Sequence, residues 1–315
     1  MKNLSWITNR HVVSALCAAP LLFSCAYASA EDAVPAPAVE AAAPAAPAEP
    51  APPYTLSYNL GLYSHYMFRG VEYSDGPALQ GGIDWAHSSG FYLGTWASNL
   101  DPYVYGKTDT GFLATTTPKN TSGDHLETDF YAGYAHTFEN GFGVNFLGNY
   151  YAYLEGRKAN NVDPAGFNHR HSINTFETSV ALSYSYFTYT YYYIPTNYYG
   201  LDKTDSSFTR LKNGGTKGAD YNELKVAYPL PFAGLVLGAK VGYQHTPGLQ
   251  GSEGDYAIGL TRNFAMPGAG KPSEGWSANA TFTNTFAVAN EGYYLSADGR
   301  DLNEKQLTFY IKRAW

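Results

Sequence analysis

From Tyr54 onward, apolar and polar residues alternate along the chain with a period of two. In 56–62, Leu56, Tyr58, Leu60 and Leu62 share one face and Ser57, Asn59 and Gly61 the other. In 142–154, Phe142, Val144, Phe146, Tyr150, Ala152 and Leu154 alternate with Gly143, Asn145 and Asn149. In 274–286, Trp276, Ala278, Ala280, Phe282 and Phe286 alternate with Ser277, Asn279, Thr281, Thr283 and Thr285. Successive strand side chains point to opposite faces, so the pattern predicts strands with one apolar and one polar face. No stretch of comparable length carries a helical period. Twelve such segments follow one another: 55–69, 77–87, 90–99, 125–138, 141–155, 172–187, 188–199, 219–229, 233–246, 254–265, 274–288 and 304–315.

The connections alternate between short and long. His87-Ser88-Ser89-Gly90, Phe138-Glu139-Asn140-Gly141, the 187/188 junction and Pro229-Leu230-Pro231-Phe232 are tight turns. Between them run 100–124, 156–171, 200–218 and 289–303, all long and polar, while 70–76 and 247–253 are modest and 266–273 is longer than a tight turn. Short turns at one end and long loops at the other are the habit of a transmembrane barrel. A sheet crossing lipid must close, because an open edge leaves backbone groups unsatisfied. The expected fold is therefore all-β: a transmembrane antiparallel up-and-down β-barrel of twelve strands, with both ends of the chain on the periplasmic side. The competing reading is a secreted soluble β-sandwich or lipocalin-like protein, with the apolar face inward. Strand length favours the barrel, since many segments reach the roughly 9–11 residues a tilted spanning strand needs.

Composition supports this reading. Of 315 residues, 29 are Tyr, 32 Gly and 17 Phe, and only 15% are charged, against about 25% in ordinary globular chains. After residue 30 no apolar run approaches the 18 or so residues of a spanning helix. The aromatic excess suits interface girdles, with Tyr63, Tyr66 and Phe68 near one strand end and Tyr189, Tyr191, Tyr192, Tyr193, Tyr198 and Tyr199 near another. A net charge of −7 argues against a nucleic-acid partner.

Ahead of the barrel, 1–30 reads as a signal peptide: Lys2 and Arg10, an apolar core from Val12 to Phe23, and an A-x-A site at Ala28-Ser29-Ala30. Lipoprotein processing at Cys25 is the alternative, although Phe23 fits it poorly. Cys17 and Cys25, the two cysteines, both fall in this segment, so cleavage after Ala30 leaves no disulfide and no thiolate metal site. Residues 31–53 are Ala, Pro, Val and acid, an extended periplasmic linker. At the other end Leu307, Phe309 and Ile311 alternate and Trp315 closes the run. That ending resembles the C-terminal signal of outer-membrane proteins read by the barrel-assembly machinery; Arg313 departs from it.

Within Tyr66–Asp101, Phe68-Arg69-Gly70, Ser74-Asp75, Pro77-Ala78, Gln80-Gly81-Gly82, Asp84, Ser89-Gly90-Phe91-Tyr92 and Trp96-Ala97-Ser98-Asn99 stand in a recognisable order. Glu127-Thr128-Asp129 and Tyr131-Ala132-Gly133-Tyr134 follow in the next strand. Together they resemble the signature of the TorF-type porin family of hypothetical outer-membrane β-barrels, and the resemblance implies a porin-like role. Beyond about residue 200 it is one of style.

No Walker loop, dinucleotide glycine motif, HExxH or nucleophile elbow is present, and no cofactor is expected. His169-Arg170-His171-Ser172-Ile173-Asn174 faintly resembles outer-membrane lipid hydrolases, but adjacent His171 and Ser172 on a strand point to opposite faces. His245 lacks a nameable partner, and Asp298–Glu304 lacks EF-hand spacing, so no metal site is expected. The polar strand faces carry the function. Alternation places Asn59, His65, Gln80, Asp84, Glu127, Asp129, Asn145, Asn149, Glu223, Lys225, Lys240, Gln244 and Lys312 inside, with Arg69 at the outer end of strand one. Charges of both signs on such a wall either filter solutes or pair across a narrow lumen and fill it. The expectation is a non-enzymatic outer-membrane porin: a narrow passive channel for small hydrophilic solutes. The alternative is a non-transport barrel serving as structural anchor or surface-interaction protein.

Overall fold

A computed structural model describes residues 52–101, 125–154, 173–200, 215–248, 252–267, 273–286 and 301–315. The segment read as a signal peptide, most of the segment read as a linker, His169–Ser172 and Asp298–Arg300 lie outside the described residues.

Twelve antiparallel strands form one closed barrel: β1 (Tyr54–Tyr63), β4 (Ala78–His87), β5 (Phe91–Asn99), β6 (Leu126–Thr137), β7 (Phe142–Tyr153), β8 (Thr175–Tyr184), β9 (Phe187–Ile194), β10 (Ala219–Pro229), β11 (Leu235–His245), β12 (Ser252–Met266), β13 (Ser273–Phe286) and β14 (Gln306–Ala314). Each pairs with the next, and β14 pairs back with β1 from Asn59↔Ala314 to Tyr63↔Tyr310, which closes the ring. The soluble-sandwich reading falls here: the greasy face points outward. Leu56, Tyr58, Leu60 and Leu62 of β1 are about half exposed, as are Phe309 and Leu307 of β14. The opposite parity is buried, as in Ser277, Asn279, Thr281 and Thr283 of β13.

One end of the barrel carries the tight turns. Gly90 and Gly141 take positive φ there, as does the non-glycine Ser185 in the β8–β9 turn. That turn occupies 185–186, two residues before the expected junction. The long connections leave the other end.

The largest departure from expectation lies in the first segment. The alternation of 55–69 predicts one strand, but β1 stops at Tyr63. The chain then folds into a two-paired hairpin, β2 (Met67–Phe68) and β3 (Val71–Glu72). Its turn residues Arg69 and Gly70 have φ of 48° and 81°. Two positive φ values match the primed turn that follows strand twist, and Gly supplies one of them without strain.

Candidate functional site: a hairpin across the barrel lumen

The hairpin is buried, and its side chains reach almost every wall of the barrel. Tyr66, with no exposed surface, donates its hydroxyl to Glu127 Oε1 of β6 at 2.7 Å. Tyr153 of β7 donates to the other oxygen at 2.6 Å. Burial, with Glu127 beside it, pushes the Tyr66 phenol well above its ordinary pKa, so it stays a donor. Phe68 meets the rings of Tyr73, Tyr151 and Tyr199. Glu72 accepts from Gln306 of β14 at 3.1 Å, and its own N–H bonds the Leu302 carbonyl at 2.7 Å. Asp101 N–H bonds the Tyr73 carbonyl at 2.7 Å, tying the hairpin to the start of the first long connection.

Arg69 at the tip reaches the far wall. Counted round the ring, β9 lies opposite β1. Arg69 Nη2 donates to both oxygens of Glu177 on β8 at 3.0 and 2.9 Å, and Nη1 donates to Gln244 Oε1 on β11 at 3.0 Å. Its guanidinium carbon lies 4.8, 4.8 and 4.2 Å from the ring centres of Phe68, Tyr192 and Tyr221. Burial alone would lower the Arg69 pKa; Glu177, together with Tyr151, Tyr198 and Tyr221, more than reverses this and holds it well above the usual value. Gly70 sits so close to the β12–β13 wall that an added Cβ would lie 2.6 Å from Thr285 Cγ2 and 2.8 Å from Asp255 Cβ. Only a glycine fits there.

Beneath the tip, β10–β12 carry a charge ladder. Lys240 pairs with Asp255 at 2.7 Å and with Glu223 at 3.6 Å, and Lys225 pairs with Glu223 at 2.9 Å. Tyr192 donates to Glu223 at 3.2 Å and Tyr221 to Asp255 at 2.6 Å. The opposite wall is acidic. Asn149 donates to Asp129 Oδ2 at 3.0 Å, and Tyr131 donates to Asp84. Tyr92 donates to Asn145 Oδ1 at 2.7 Å. Towards the short turns the inner wall thins: an added Cβ at Gly238, on the lumen-facing parity of β11, would meet nothing within 4 Å.

The residues singled out by alternation are placed as follows. Asn59, Gln80, Asp84, Glu127, Asp129, Asn145, Asn149, Glu223, Lys225, Lys240, Gln244 and Lys312 lie on strands, on the parity opposite the exposed belt, and are buried or half-buried. His65 and Arg69 are not on strand one: His65 lies in the segment leading into the hairpin, with Nε2 4.0 Å from Glu72, and Arg69 lies in the hairpin's turn. The girdle assignment divides. Tyr189, Tyr191 and Tyr193 face outward, but Tyr63, Tyr66, Phe68, Tyr192 and Tyr199 are buried inside. Glu177 and Asp255, which the sequence reading passed over, hold Arg69 and Lys240. Their signal was the parity they share with Thr175 and Ser179, and with Ala257 and Thr261. His245, assigned no partner from sequence, lies 3.1 Å from Asp220. Asp301 accepts the Asn303 N–H at 3.1 Å, a local turn. Among the described residues no group of three or more His, Cys, Asp or Glu side chains is placed to hold a metal.

A family model described as "Bacterial protein of unknown function (Gcw_chp)" matches residues 47–315. Comparison with curated proteins by sequence gives no match. Among solved structures the chain is similar to the KdgM porin, with 8% identity and a TM-score of 0.43 over 82% of this chain and 98% of that one. It is also similar to the Pseudomonas aeruginosa outer membrane protein OpdK, with 13% identity and a TM-score of 0.34 over 77% and 57%. At that distance nothing about solute passes from those proteins to this one.

Proposed function

The chain belongs to the Gcw_chp family of bacterial proteins of unknown function, and we propose that it is an outer-membrane porin: a narrow, passive channel for small hydrophilic solutes whose lumen is plugged by its first hairpin. The barrel's outward belt of half-exposed Leu, Ile, Phe and Tyr is far larger than the apolar patches a soluble monomer carries, and lipid is the solvent that suits it. In this reading residues 1–30 direct export, 31–53 span periplasm, the long connections face outside, and Leu307, Phe309, Ile311 and Trp315 address the assembly machinery. The resemblance to TorF-type porins belongs to the same reading.

The observation that carries the proposal is the contrast between the two halves of the interior. The hairpin half is crowded with paired charges and packed rings, whereas the short-turn half sets small residues such as Gly238, Thr261 and Ser277 across from a polar wall of Asp84, Tyr92 and Asn145. A polar wall stands in for bulk water, and solute moves without a covalent step. Displacing the hairpin would join the two mouths.

The second reading, a structural anchor without transport, is favoured by how many wall strands the hairpin touches. Reconstitution in planar bilayers separates the two. Stepwise currents from wild type, or from a hairpin-weakened variant with an intact barrel, support the channel. Silence from both leaves the anchor.

A further inference from the structure

The lipid-facing wall near the short turns holds one feature the channel does not use. Arg313 of β14 has the outward parity, since its neighbour Lys312 is buried. It lies opposite Trp276 on β13 and Leu60 on β1. Its guanidinium carbon is 4.7 Å from the centre of the Trp315 ring and 5.6 Å from that of Trp276. Two indoles thus hold one cation at the barrel's outer surface. Arg313 Nε is buried and has no hydrogen-bond partner. A guanidinium on a lipid face is costly at the midplane and costs little at the interface, and here it sits at the strand end, level with tryptophans that favour headgroup depth. Above it, towards the belt, Ala278 and Ala280 follow Trp276 on the outward parity of β13. They form a shallow trough between exposed Leu260 and Arg262 on β12 and Phe309 and Ile311 on β14.

We propose that Arg313, Trp276 and Trp315 form a binding site for the phosphate of an anionic glycerophospholipid, with an acyl chain lying along the Ala278–Ala280 trough. Charge complementarity and geometry select this occupant. A guanidinium fork matches phosphate oxygens with two donors, the unpaired Nε–H is a donor in want of an acceptor, and the trough continues from the cation into the apolar belt. Arg313 is also the position at which the chain departs from the aromatic or apolar residue usual there in the C-terminal signal, and lipid phosphate gives that departure a use. The inference rests on the membrane reading above, with the short turns on the phospholipid side.

The test is native mass spectrometry of the full chain in detergent micelles with phosphatidylglycerol, phosphatidylcholine or inorganic phosphate added. Wild type should retain one phosphatidylglycerol at activation energies that strip phosphatidylcholine, and inorganic phosphate should neither bind measurably nor displace it. Arg313→Gln should lower retention about tenfold, Trp276→Ala should lower it several-fold, and Arg313→Lys should restore part of it. Lys305→Gln removes an exposed cation just before the other end of β14, far from the two tryptophans, and it should behave as wild type. Equal retention by Arg313→Gln, or equal loss in Arg313→Gln and Lys305→Gln, would overturn the site. Displacement by inorganic phosphate would reduce it to an anion site. Wild type that partitions into water rather than detergent would instead remove the membrane reading beneath it. Trp276→Ala and Arg313→Lys keep the charge, so they report even if Arg313→Gln fails to fold.

Discussion

Replacing Arg69 with alanine should release the hairpin from the far wall. The side chains of Arg69 and Glu177 are 7% and 3% exposed, so their pair is desolvated rather than superficial. Removing one partner of such a pair costs about 3–5 kcal/mol, because the other charge is left buried alone. The lower end applies here, since Tyr151 still donates to Glu177 at 3.1 Å. Three ring contacts are lost as well, each worth about 0.5–2 kcal/mol when desolvated, but they overlap with the ion pair and do not add to it. Taking about 3 kcal/mol as the shift between seated and displaced hairpin, and 1.4 kcal/mol per factor of ten, occupancy of the displaced state should rise about 100-fold. Single-channel recording at fixed voltage measures it, with heat-modifiable electrophoretic migration confirming an intact barrel. Glu177→Gln keeps an acceptor and removes the charge, so its effect should be smaller, about tenfold. Recordings of Arg69→Ala that coincide with wild type in step size and occupancy would refute the view that this pair holds the plug.

Other perturbations probe the same architecture from different sides. Gly70→Ala adds a methyl group 2.6 Å from Thr285 Cγ2 at a φ of +81°; overpacking plus backbone strain of about 2–4 kcal/mol should raise conductance much as Arg69→Ala does, with every charge in place. Lys240→Met leaves Asp255 and Glu223 facing each other without their shared cation, and should lower the barrel's urea midpoint in micelles by an amount equivalent to about 3 kcal/mol; an unchanged midpoint would mean that the ladder is not structural. In single-tryptophan variants, brominated lipid should quench Trp315 and Trp276 strongly and Trp96, which is 2% exposed inside the barrel, hardly at all. Equal quenching would reverse the assignment of the two faces.

Much of this fold could be read from sequence because each strand has two different solvents to satisfy. A period of two runs through every strand, and all twelve segments appear, with ends within a few residues except that the first stops at Tyr63 rather than 69 and the seventh at Ile194 rather than 199. The hairpin was hidden by the same rule. Tyr66 and Phe68 continue the alternation past Tyr63, so they read as more of strand one. The break lies in the positive φ values of Arg69 and Gly70, which alternation does not register. The tyrosines misled for a related reason. Tyr191, Tyr192 and Tyr193 are consecutive and cannot share a face, and the middle one belongs to the interior. Glu177 and Asp255 lay on correctly read strands, but Glu177 matters because Arg69 arrives from a segment 108 residues away, and Asp255 because Lys240 reaches it from the neighbouring strand.

The seam between β1 and β14 has a consequence for how the molecule is made. The ring shuts only when its final strand meets its first, and the plug is spliced directly onto that first strand. Sealing the circumference and lodging the stopper are thus adjacent steps in one piece of polypeptide. A wall that joined up beforehand would have to admit a tail of rings and a guanidinium through its own mouth; threading during closure would spare it that.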